Sequence, residues 1–182
     1  MLYILNYLIE NKYIDEADTL FFKYCIEVTV FNFFSVISII IIAMLNNELE
    51  IGISFLLTFI AIRTNLGGFH CKTPVKCLML FPILYSLTGL VKNIITIKLF
   101  YYLSFISILL LFLAKPIKNN KEIINDDYYK CKKRLHIALK CIVAINLISF
   151  ISNIFNSIVI GVDIAVVLSL ILYIAKYLEM RN

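Results

Sequence analysis

Apolar residues gather along this chain into six runs, at about 28–45, 51–66, 77–92, 94–114, 135–155 and 158–175, with short polar breaks between them. A membrane-spanning helix needs about 20 residues, with ~17 as a practical lower limit. The first, fourth, fifth and sixth runs meet that length. The second and third are shorter and flank the segment Gly67-Gly68-Phe69-His70, so they are expected to share a pocket with irregular backbone. Such backbone is tolerated at membrane depth only where protein or water covers it. Residues 1–27 are more polar, yet Leu5, Leu8, Ile9, Tyr13, Leu20, Phe21 and Tyr24 leave an apolar stripe at roughly helical spacing. That stripe fits a helix lying on the membrane surface or one packed against the bundle. Lys12, Asp15, Glu16, Asp18 and Lys23, with no basic start and no small-residue cleavage site, do not read as a cleavable signal peptide. The expected fold is all-α: one membrane-embedded domain over 1–182, with about six transmembrane helices, two of them short, and an amphipathic N-terminal segment over 1–27.

Composition agrees with the pattern. The chain is 62% hydrophobic and 16% charged, with a mean hydropathy of +0.92. A soluble domain is nearer half apolar and a quarter charged, so a polytopic membrane protein is the class that remains. Five cysteines, Cys25, Cys71, Cys77, Cys131 and Cys141, are odd in number and lack framework spacing. They argue against a disulfide scaffold and for a reducing compartment. Cys25 and Cys141 lie in apolar surroundings and read as core packing.

Charge then supplies an orientation. With six spans, the loops on one side are 46–50, 92–98 and 153–163, and they hold only Lys92 and Lys98. Lys12, Lys23, Arg63, Lys72, Lys76, Lys115, Lys118, Lys121, Lys130, Lys132, Lys133, Arg134, Lys176 and Arg181 fall on the other side. Lysine and arginine in short loops mark the cytoplasmic face, so both termini and the His70–Cys77 segment are expected in the cytoplasm of a multi-pass cell-membrane protein. The basic stretch 115–134 fits anionic lipid, although such clusters usually do no more than fix topology.

Against this apolar background the polar cluster Arg63, Gly67, Gly68, His70 and Cys77 needs explaining. Thr73 and Pro74 read as the cap and first position of a helix, which places Cys77 about one turn in. There the positive end of the helix dipole and neighbouring Lys76 both favour a thiolate. On one unbroken helix His70 and Cys77 would be separated by about 10.5 Å of rise, whereas a base and its nucleophile need roughly 3 Å. The helix must therefore break between them, and Gly67, Gly68 and Pro74 stand on either side of His70 to break it. Pro82, further along the run, is expected to kink its helix. Arg63 could hold a carboxylate or simply snorkel to the surface. Asn65 and Asn93 are the polar residues available as a third group.

Two other chemistries compete. His70, Cys71, Cys77, Cys131 and His136 could supply zinc ligands, but no paired C-x-x-C or H-x-x-x-H spacing supports them. A small transporter would need ionisable residues in mid-span; Lys140 and Asp163 are the candidates, and both sit near the ends of their runs. A non-catalytic membrane partner protein is a further alternative. No nucleic-acid-binding motif, phosphate loop or dinucleotide fingerprint is present.

Arg63, Gly67-Gly68, His70 and Cys77, placed after a short second apolar run, resemble the accessory gene regulator B (AgrB) family of quorum-sensing membrane peptidases. The length and hydropathy profile of nearly the whole chain are similar to that family too. A weaker echo is Ala114-Lys115-Pro116-Ile117, with Glu122 where a second proline is common. The resemblance implies a cysteine endopeptidase that cuts a short AgrD-type precursor peptide. Cys77 is then the nucleophile and His70 the general base, later the acid. The peptide is held as a thioester on Cys77 until an internal cysteine or serine attacks it, releasing a cyclic thiolactone or lactone autoinducing peptide. It further implies supporting roles for Arg63, Gly67 and Gly68, no metal or other cofactor, and a homodimer.

Overall fold

The computed structural model describes residues 19–67, 74–92, 97–117, 125–152 and 156–181. They form six helices: α1 (Thr19–Leu45), α2 (Leu49–Leu66), α3 (Pro74–Lys92), α4 (Ile97–Leu113), α5 (Asn125–Ser152) and α6 (Asn156–Arg181). No strand occurs among the described residues, whose fold is all-helical. By length and composition, four segments are long and apolar enough to cross a membrane: Ile26–Leu45, Leu49–Leu66, Tyr128–Ile151 and Ser157–Arg181. Tyr101–Leu113 is a shorter apolar stretch within α4.

The helix boundaries follow local chemistry. α1 contains neither glycine nor proline over its 27 residues, so nothing interrupts propagation once a turn has formed. Residues 19–27, grouped on sequence with the N-terminal segment, accordingly continue into the first span; residues 1–18 of that segment lie outside the described residues. α1 ends in a Schellman motif. Asn47 takes a positive φ of 56°, its N–H donates to the Met44 carbonyl at 3.1 Å, and the Glu48 N–H reaches the Ala43 carbonyl at 2.8 Å. α2 starts at Leu49, two residues before the apolar run, which gives the second element 18 residues and a spanning length. α5 likewise begins ten residues before its apolar run, so Lys130, Lys132, Lys133 and Arg134 ride on its first turns. The fourth run makes a helix of 17 residues. α3 runs continuously through Pro82 to Lys92.

α2 and α6 form the centre of the bundle. Their contact is the most extensive between any two helices among the described residues, with α1 and α3 on one side and α4 and α5 on the other. Two apolar clusters fill the spaces between them. In the first, Ile39 and Ala43 of α1 meet Phe55 and Phe59 of α2, Phe81 and Tyr85 of α3, and Ile164 and Leu168 of α6. In the second, Ile62 and Leu66 of α2 meet Leu111 of α4, Leu135 and Leu139 of α5, and Val166 of α6. Large apolar side chains such as Phe33, Leu57, Leu113 and Ile151 face outward, as lipid contact requires and water would not favour. Cys141, read as core on sequence, is exposed on the outer side of α5. Its neighbours Leu139 and Ile142 supply the inward face there instead.

Lipid is as apolar as leucine, so helices in a membrane associate chiefly through close packing and hydrogen bonds. Gly161 permits that packing at the centre. A Cβ built there would collide with Ser54 Oγ and the Ile51 carbonyl oxygen.

Candidate active site

α2 stops at Leu66, and α3 begins at Pro74. Gly67 caps the first of these helices and Pro74 opens the second; the His70 side of the separation from Cys77 lies outside the described residues. Gly67 caps α2 at φ 75° and ψ −153°, a conformation that side chains with a Cβ rarely adopt. Its N–H donates to the Arg63 carbonyl at 3.0 Å. Pro74 is the first residue of α3 and Cys77 the fourth, so Cys77 occupies the first turn, where the helix dipole favours an anion. Lys76 beside it is exposed. Gly68, His70, Cys71 and Thr73 lie outside the described residues, as does Asn93.

Arg63 does not reach away from the bundle as an anchor would. It is half-buried, and its Nη1 donates back to the Gly67 carbonyl in a long hydrogen bond of 3.4 Å. Its guanidinium lies 5.9 Å from the centre of the Phe81 ring, within cation–π range. Phe81 sits one turn along α3 from the position of Cys77. Phe81 also meets Phe59 edge-on at 5.3 Å, and Tyr85 meets Phe55 at 5.2 Å. This aromatic ladder ties α3 to α2 at the depth of the site. A cavity of about 280 Å³ opens between α1, α2 and α3. Arg63, Thr64 and Asn32 give it a polar mouth, and Ile39, Leu56 and Phe59 line it more deeply. A larger hollow of about 700 Å³ lies at the other end of α2, around residues 44–51, and holds none of these groups.

Asn65 turns its amide to the Ala61 carbonyl at 2.7 Å, within its own helix, so that donor is already engaged. His136 packs against Phe112, with ring centres 5.4 Å apart, and belongs to the α4–α5 contact. Among the described residues no three histidine, cysteine or acidic side chains converge.

Two features were not anticipated. The first is the connector after α4. The Ile117 N–H donates to the Leu66 carbonyl at 2.8 Å, and a Cβ on Gly67 would collide with the Ile117 carbonyl oxygen. The second is Asp163. Placed near a run end on sequence, it is 1% exposed, sits on α6 between helices, and accepts a hydrogen bond from Asn146 Nδ2 of α5 at 3.0 Å. An ionisable residue inside an apolar run was the available signal. Asp163→Leu leaves the Asn146 amide without its partner and is expected to destabilise the bundle by roughly 1–3 kcal/mol. Asp163→Asn, which keeps an acceptor, is expected to retain most of that stability. Thermal unfolding of the two variants in one detergent checks the difference.

Compared with known proteins, no curated protein and no solved structure matches the chain. A family model described as Accessory gene regulator B matches residues 2–172. That span takes in every helix but the last turns of α6, together with all five residues of the polar cluster. The chain belongs to the accessory gene regulator B (AgrB) family.

Proposed function

We propose that this protein is a membrane cysteine endopeptidase that processes a short AgrD-type precursor into a cyclic autoinducing peptide for quorum sensing. The observation that carries the reading is the end of α2 at the Gly67 cap together with the placement of Cys77 in the first turn of α3, which begins at Pro74. The reading requires the intervening His70 to fold back onto that turn. Family membership supports a role in peptide processing.

In this reading His70 takes the Cys77 proton, and the thiolate attacks the carbonyl carbon of the scissile peptide bond. The C–N bond breaks as His70 returns the proton to the leaving amine, and the acyl group stays on Cys77 as a thioester. An internal thiol or hydroxyl of the peptide then attacks the thioester carbonyl. The ring closes, and Cys77 leaves as a thiol. Exchange of one thioester for another is nearly balanced in energy, so removal of the cut-off tail draws the reaction forward. A partly dry site protects the acyl-enzyme from hydrolysis. Arg63, which lies over Phe81 and lines the α1–α2–α3 cavity, holds a carboxylate of the substrate in this reading. Six spans, both termini and the active site on the cytoplasmic side, and a homodimer complete the proposal.

The test is incubation of the full chain in lipid nanodiscs with the short peptide encoded beside it, followed by mass spectrometry. Cleavage near the C-terminal side together with a cyclic product is expected. A precursor that stays intact would overturn the reading.

A further inference from the structure

The connector 114–117 reaches back across the bundle and touches both ends of a short relay. Pro116 lacks an N–H and fixes its own φ, and it restricts Lys115 to extended backbone, so α4 cannot run on past this point. The chain instead lies along the end of α2. The Ile117 N–H satisfies the Leu66 carbonyl at 2.8 Å, one of the acceptors a helix C-terminus leaves open. On the other side the Lys115 N–H donates to Tyr173 Oη of α6 at 3.2 Å. Gly67 fits beneath the Ile117 carbonyl only because it has no Cβ. The connector is thus fastened at two points, to the site's helix end and to the central helix α6.

What it fastens is the hinge point of the proposed chemistry. The Gly67 carbonyl is the acceptor for Arg63 Nη1, and Arg63 in turn lies over Phe81, one turn from the position of Cys77. From Gly67 the chain runs three residues to His70, a reach of at most about 11 Å. A shift or rotation of the Gly67 peptide therefore moves both the Arg63 guanidinium and the origin of the histidine segment. Misplacement by 1 Å can lower a rate by about 10²-fold.

We infer that Ile117 and Tyr173 are positioning residues of the peptidase: the Ile117–Leu66 and Lys115–Tyr173 hydrogen bonds hold the Gly67 peptide, which is the acceptor for Arg63 and the point from which the chain continues toward His70. The inference rests on the peptidase reading and adds to it the connector that aligns the site. Neither residue takes part in bond making.

The experiment uses the full chain in nanodiscs with the neighbouring precursor. It measures the single-turnover cleavage rate and the pH dependence of Cys77 alkylation. Trypsin cuts after Lys72 and Lys76 and so separates Cys71 from Cys77 for peptide-level mass spectrometry. Ile117→Pro removes the N–H donor, Tyr173→Phe removes the hydroxyl acceptor, and Ile117→Val keeps the backbone bond. Ile117→Pro and Tyr173→Phe are each expected to slow cleavage about tenfold or more. Both are expected to move the Cys77 alkylation profile toward that of His70→Ala, at the unfolding temperature of Ile117→Val. Ile117→Val is expected to match the wild type. If Ile117→Pro fails to fold, Tyr173→Phe decides. A wild-type rate and alkylation profile in Tyr173→Phe, beside an active wild type and an inactive Cys77→Ala, would overturn the positioning role alone. A wild type that neither cleaves nor differs from His70→Ala in alkylation would remove the peptidase reading, and this inference with it.

Discussion

Cys77→Ala is expected to abolish precursor cleavage, leaving only the uncatalysed background, while the protein stays folded. Cys77 stands in the first turn of α3, and alanine keeps the helix while removing the only group proposed to carry the acyl chain. His70→Ala is expected to fall at least about 10²–10⁴-fold, the range for a positioned acid–base group. Residues that act as one unit do not add, so the double variant is expected to be no worse than Cys77→Ala. Cleavage by membranes carrying each variant, normalised to the amount of folded protein, checks all three. A transporter or a non-catalytic partner protein would keep its function in Cys77→Ala. The same variant therefore separates the enzyme from both alternatives.

The second large effect is structural. Gly161→Ala is expected to split the central α2–α6 contact, because the added methyl would meet Ser54 Oγ and the Ile51 carbonyl oxygen, well inside van der Waals distance. A flexible side chain can swing aside, but a helix carbonyl cannot. Overpacking of this kind costs about 1–3 kcal/mol, and contact with rigid backbone puts this site at the upper end. Gly89→Ala supplies the control. No heavy atom outside its own helix lies within 4 Å of a Cβ built there, and alanine is the better helix former by about 1 kcal/mol. Gly161→Ala is expected to unfold at a clearly lower temperature than the wild type, and Gly89→Ala at the same temperature or slightly higher. Equal stability in both variants would contradict the packing described for α2 and α6.

Much of this molecule is legible in the sequence, and the limits have physical causes. Runs of apolar residues locate the six described helices because a bilayer imposes length and hydrophobicity directly. The break at Gly67 and restart at Pro74 follow from two residues with unusual backbone freedom and restriction. Helix ends were less accurate, since a helix extends past its apolar run when polar residues propagate it. Glu50 at the start of α2 and Lys130–Arg134 at the start of α5 do so. Asp163 does lie near the start of α6, as its place in the sixth run indicates, and only packing against α5 reveals that it is buried between helices. The Ile117–Gly67 contact joins residues 50 apart in the chain. Pairing of that kind depends on backbone atoms, which hydropathy does not register. The turn of Arg63 back toward the Gly67 carbonyl and the Phe81 ring is likewise a side-chain geometry that hydropathy does not register.

One measurement bears most directly on the central claim. The wild-type chain in nanodiscs is mixed with precursor, quenched in acid within the first turnover, digested and analysed by mass spectrometry. The account predicts the upstream precursor fragment joined to the Cys77 peptide through a bond that hydroxylamine cleaves. Efficient production of cyclic peptide with no adduct on Cys77, or an adduct on Cys71 instead, would contradict it.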